Sequence, residues 1–174
     1  MDFKKHALIL AVIDRLHKHG SWTGKTHLQK ALFLLSALGA IQVPFQFVLY
    51  KHGPYSFDVE EELEQMKGYA AVVSEAVPEY GVVLRAGTSA RFVKDKAPLS
   101  EAELKTIEQV CTFVGSKKAT ELERIATAAW IRTREQVTEE ISVATRLNQL
   151  KPHVSVMEAA EADKKVIPLL NSTH

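Results

Sequence analysis

The spacing of apolar positions switches from helical to alternating near residue 45, does so again after Gly68, and returns to helical after Pro98. Leu8, Ala11, Val12 and Leu16 recur at helical spacing, so Phe3 to His19 reads as a helix that Gly20 stops. A second helix runs from about Gly24 to Leu38, with Leu28, Ala31, Leu32, Leu35 and Leu38 on one face and Gly39 at its end. Phe45, Phe47 and Leu49 then alternate with Gln46, Val48 and Tyr50, a short strand closed by Gly53-Pro54. Asp58 and Glu61 have the spacing of a capping box ahead of a third helix, buried along Val59, Leu63 and Met66 and ended by Gly68.

Beyond Gly68 the period falls to two. Tyr69–Val73 and Tyr80–Arg85 are expected to pair across Glu75–Glu79, with Arg91-Phe92-Val93 as a third strand. Pro98-Leu99 ends this stretch, and Ser100 with Glu103 forms another capping box. Helices follow at about 101–115, 119–135 and 137–150, and a last one opens at Ser155 with Glu158 as its box partner. The order predicts an α+β, mainly helical fold. Its N-terminal half, residues 1–97, is laid out as a winged helix-turn-helix, and residues 98–174 form a helical extension packing on it.

Charge complicates that reading. The helix that would enter a nucleic-acid groove carries five carboxylates and one lysine between Asp58 and Lys67. Acidic residues in its first turn suit the helix dipole, at about 0.3–1 kcal/mol each. With Val59, Leu63 and Met66 facing inward, Glu60, Glu61 and Glu64 are the carboxylates free to face outward and meet a basic protein surface. Basic residues gather elsewhere: Lys25 and Lys30 in the first thirty residues, and Arg85, Arg91 and Lys94 in the expected wing. Those five positions are the candidates for phosphate contacts. The net charge of +1 over 174 residues argues against a strongly basic nucleic-acid protein.

No constellation for catalysis, metal or cofactor stands out. Gly20-Ser21-Trp22-Thr23-Gly24-Lys25-Thr26 imitates the end of a P-loop, but three residues separate the glycines where four are needed, and a helix precedes it. It reads more simply as a helix start. The seven histidines are scattered without ligand spacing. The single Cys111 lies in an apolar stretch and is expected to be a small buried hydrophobe. One cysteine forms no internal disulfide, so a reducing, cytoplasmic setting is the expectation. The longest apolar run, Ala7 to Ile13, is far short of a membrane span.

Lys25-Thr26-His27-Leu28-Gln29-Lys30, followed by Phe45-Gln46-Phe47 and Tyr50-Lys51-His52-Gly53-Pro54-Tyr55-Ser56, resembles a family of small uncharacterised prokaryotic winged-helix proteins. It is more distantly similar to the Panacea domain of antitoxin-associated proteins. The shared features are the Leu-Gln-Lys helix and the Gly-Pro-Tyr-Ser turn, over about residues 7–75. Where Panacea proteins carry Ala-Trp and Gly-Pro-Val, this chain has Leu49-Tyr50 and Gly53-Pro54-Tyr55. The resemblance implies a regulatory or defence-associated binding protein and carries over no catalytic residue. Tyr50 and Tyr55, beside a rigid turn, are suited to contacts at an interface. The expectation is a non-enzymatic module whose partner is a protein, a toxin or an assembly component, with homodimerisation as a further option. The alternative is a DNA-binding winged-helix regulator using the wing and the basic N-terminal region.

Overall fold

The structure, a computed structural model, describes residues 1–21 and 23–172. Trp22, in the P-loop-like segment, and the last two positions of the 98–174 half lie outside the described residues. Asp2 caps the first helix, α1 (Phe3–Lys18), by accepting from the Lys4 and Lys5 amides. Gly24 is the cap residue of α2 (Lys25–Leu38), so Gly24-Lys25-Thr26 is the helix start the sequence suggested. The sequence pattern put the apolar side chains of α2 on one face. Instead every residue from His27 to Leu35 is buried, because α1, the helices Glu101–Gly115 and Ala119–Thr133, and a β-hairpin surround this helix.

The first hairpin joins β1 (Val48–Tyr50) to β2 (Gly53–Tyr55), with Leu49 opposite Pro54. The expected strand from Phe45 is therefore too long, and Gly53-Pro54 belongs to the partner strand instead of closing the first. The reason is where the backbone bonds go: the Phe45 amide bonds Val43 O at 2.9 Å and the Gln46 amide bonds Asp58 Oδ2 at 2.9 Å. Asp58 is thus not a cap. Ser56 caps α3 (Phe57–Gly68), accepting from the Val59 amide at 3.4 Å.

The second hairpin also differs from expectation. It joins β3 (Val72–Val77) to β4 (Gly81–Ala86), so Glu75–Val77 lie in the ladder and the connection is tight. Residues before Val72 are taken up by the end of α3, where Ala70 has φ 59 and the Ala71 amide reaches back 2.8 Å to Met66 O. Leu84 N donates to Thr23 O at 2.8 Å, which ties β4 to the segment between α1 and α2. Arg91-Phe92-Val93 is not a third strand but part of a helix, α4 (Ala90–Lys96). Three alternating residues carry too little periodicity to decide the matter, and Ala90 and Val93, three apart, are the ones buried.

Four longer helices complete the chain: α5 (Glu101–Gly115), α6 (Ala119–Thr133), α7 (Glu140–Leu150) and α8 (Val156–Asn171). The capping boxes Ser100/Glu103 and Ser155/Glu158 both form. α6 stops short of 135 and α7 begins after 137, because Gln136 adopts φ 58 and the Val137 amide turns back to Ile131 O. Arg132 holds Asp163, which is fully buried, through two bonds of 2.5 and 2.6 Å that pin α6 to α8. Cys111 is buried, and burial pushes its thiol up to about 12.

The result is a mainly helical α+β fold with two small antiparallel sheets. One hydrophobic cluster runs from Ile9, Leu10 and Leu32 through Leu63 and Leu84 to Val110, Ile125, Leu147 and Val166, so both halves of the chain share it. Among the described residues no helix is long and apolar enough to cross a membrane.

Candidate interaction surface

The Leu-Gln-Lys and Gly-Pro-Tyr-Ser segments meet in space. Gln29 lies on α2 with its side chain buried against Ser56, where its amide nitrogen donates to Ser56 O and its oxygen accepts from Ser56 N, both at 2.9 Å. One side chain thereby satisfies both backbone groups of the α3 cap residue. Lys30, one position on, donates to Pro54 O at 2.8 Å. Lys151 donates to Lys51 O at 2.5 Å and pairs with Glu123 at 2.7 Å. His52 lies 3.3 Å from the same Glu123. Four side chains from α2, α6 and the end of α7 therefore latch the first hairpin in place.

The latch is electrostatically costly. Lys30 is 2% exposed, and burial lowers its pKa to about 8, a shift that Glu123 opposes and Lys151 reinforces. Lys51 and His52 remain exposed at the hairpin tip. Lys30, a candidate phosphate contact by sequence, is instead a buried structural donor. No signal in the one-letter pattern separated it from the exposed lysines around it.

The latched hairpin presents a cluster of rings. Tyr50, Tyr55 and Phe57 touch pairwise, with centroids 5.7, 5.6 and 5.1 Å apart. Tyr50 is 48% and Phe57 58% exposed, and Val48 on the same hairpin is 45% exposed. Contiguous exposure of large apolar groups on a rigid support is costly in water unless another surface covers them. Phe57 was missed in the sequence. Placing the cap at Asp58 left it outside the helix, whereas Ser56 as cap makes it the first helical residue, opposite Val59, Leu63 and Met66.

Helical spacing then carries the surface onto α3. Phe57, Glu61 and Glu64 fall at i, i+4 and i+7, on the stripe facing away from the buried one, and both glutamates are exposed. Glu64 also takes a hydrogen bond of 2.8 Å from Lys67, which holds its carboxyl below the usual range. Glu60 is half-buried, pairs with Lys25 at 2.6 Å and faces Tyr55. Burial, then the charge of Glu60, raises the Tyr55 pKa, which favours the neutral phenol. Tyr50, Tyr55, Glu60, Glu61 and Glu64 are thus brought onto one continuous face.

Glu62 leaves the acidic run. It is buried, 2.6 Å from His6 Nε2 and 3.1 Å from Lys5 Nζ, while Tyr69 bonds the other His6 nitrogen at 2.7 Å. The Glu62 bond raises the Lys5 pKa. This network ties α1 to α3 and orients the outward stripe.

The basic candidates are not assembled in the same way. Lys25 is engaged by Glu60, Arg85 by Glu75 at 2.5 Å, and Lys94 by Asp14. Arg91 lies 3.9 Å from Asp95 on the exposed side of α4. The ribbon from Val72 to Ala86 carries Glu75, Glu79 and Arg85, a formal charge of −1. Among the described residues no group of three or more His, Cys, Asp or Glu side chains could hold a metal ion.

No protein-family model matches this chain, and no curated protein matches it either.

Proposed function

We propose that this chain is a non-catalytic regulatory binding module, antitoxin-like or defence-associated. It contacts a basic protein partner through the ring cluster Tyr50, Tyr55 and Phe57 and the outer stripe of α3. The observation that carries the proposal is the contiguity of exposed rings with Glu61 and Glu64 on a hairpin latched by buried side chains. Rigid aromatic anchors bordered by like charges are the features that concentrate binding energy and steer an oppositely charged partner.

The wider architecture fits a winged helix. α1, α2 and α3 precede the β3–β4 ribbon, and the Leu84–Thr23 backbone bond supplies the short strand pairing that such folds carry between their first two helices. In that reading α3 occupies the recognition-helix position, and the first hairpin is an insertion before it. An acidic α3 and a ribbon of net negative charge repel a phosphate backbone, so a protein partner is favoured over DNA.

Affinity capture from the native host tests the charge part of this reading. Glu61→Lys with Glu64→Lys reverses two exposed charges without touching the latch or the core, so folding should be nearly unchanged. The expected result is loss of the captured partner. Capture of the same partner in unchanged amount would remove α3 from the interface.

A further inference from the structure

We propose that the cleft between α1, α4 and α5 binds a small amphipathic carboxylate. Its apolar tail would lie over Ala7, Ala11, Leu99 and Leu104 and its carboxylate on Arg15 and Lys94. The cleft has a volume of about 320 Å³, within the range of small-ligand sites. Ala7 and Ala11 sit one turn apart on α1, and their short side chains leave the floor open. Ala97, Leu99 and Leu104 line it and are only half-buried, so they keep apolar surface that a ligand tail would remove from water.

Three charged residues also line the cleft: Asp14, Arg15 and Lys94, whose formal charges sum to +1. Lys94 is paired with Asp14. Arg15 Nε is 2.6 Å from Glu108 Oε2, too far off the N–H direction to form a hydrogen bond. Glu108 is further occupied by Lys18 at 3.0 Å and His19 at 2.8 Å. The terminal nitrogens of Arg15 carry no hydrogen bond among the described residues. A guanidinium edge with unused donors beside an apolar floor matches a carboxylate on an alkyl or aryl body, bound through a two-point fork. An alcohol leaves that fork unused, and an alkylammonium brings a like charge to it.

Octanoate, octanol and octylammonium, titrated into the full chain by calorimetry, test this directly. Octanoate should bind and raise the melting temperature, with the other two weaker by about tenfold or more. Ala97→Leu, which fills the cleft from a half-buried position, and Arg15→Gln, which removes the fork, should each weaken octanoate by about tenfold. Lys18→Gln removes a neighbouring Glu108 partner outside the cleft and should leave octanoate binding as in the parent. Absence of octanoate binding would overturn the proposal. So would equal affinity for octanol, or binding that survives both Ala97→Leu and Arg15→Gln.

Discussion

Lys30 gives the latch a pH signature that can be worked out in advance. Its ammonium is buried against Pro54 O, and its pKa falls from 10.5 to about 8 on folding, chiefly through burial. A lysine with a folded pKa below its unfolded one binds protons more weakly in the native state. Between those two values the unfolded chain therefore holds more protons, and stability rises with pH. The cost attributable to Lys30 is about 3 kcal/mol at pH 8 and falls to about 1.4 kcal/mol at pH 9.5. Lys30→Met keeps the stem in place and removes the titration. It also leaves Pro54 O unbonded, a pH-independent loss of about 1–3 kcal/mol. Urea melts of parent and variant at matched pH isolate the term, because other titrating groups largely cancel in the difference. The parent should gain about 1.5 kcal/mol on the variant between pH 8 and pH 9.5. A difference that stays flat, or that moves in favour of Lys30→Met as pH rises, would mean that burial does not depress the Lys30 pKa in the native state.

Three substitutions probe backbone positions. Gly53 has φ +88, and an added Cβ would lie 3.0 Å from Thr127 Oγ1 and 3.3 Å from Glu123 O. Gly53→Val should cost about 3 kcal/mol and lower the melting temperature by roughly 6–12 °C, as calorimetry would show. At Gly87 the obstacle is contact, not dihedral: a Cβ would sit 2.2 Å from Ala70 O, which is backbone. Gly87→Ala should therefore destabilise by several kcal/mol, visible as a large fall in the urea midpoint without a change in slope. Glu79 follows Pro78 in a turn closed by a 3.1 Å bond from Tyr80 N to Val77 O, and its φ is 70. Glu79→Gly should raise stability by about 0.5–1 kcal/mol, and a thermal melt that shows a loss would mean that the left-handed Glu79 is not strained.

Much of the helical scaffold was legible because long periodic segments with capping residues leave strong traces. Ser100 with Glu103 and Ser155 with Glu158 fixed two helix starts to the residue. The short elements were not legible. Asp58 and Ser56 both satisfy cap chemistry, and long-range and local bonds decide between them: the Gln46 amide engages Asp58, while Ser56 accepts from the Val59 amide. That two-residue ambiguity concealed Phe57. The strand expected at Arg91–Val93 failed because three residues cannot distinguish a period of two from one of 3.6. Burial of charged groups was hidden for a different reason: Lys30 and Glu62 are placed by long-range partners, Pro54 and His6, that local pattern does not reveal. The outward positions of Glu61 and Glu64 do follow from spacing, because Val59, Leu63 and Met66 define the inner stripe.

Binding through the latched hairpin is measured by the affinity of the purified chain for its captured partner, compared with that of the double variant Tyr50→Ala/Phe57→Ala. Both side chains are about half exposed or more and lie outside the hydrophobic core, so the variant should melt within a few degrees of the parent. Truncating two anchor rings should weaken binding by roughly 2–4 kcal/mol, about 30- to 1,000-fold, and the residual affinity should fall steeply with added salt. Equal affinity of parent and variant, in a folded protein, would place the contact away from the latched hairpin.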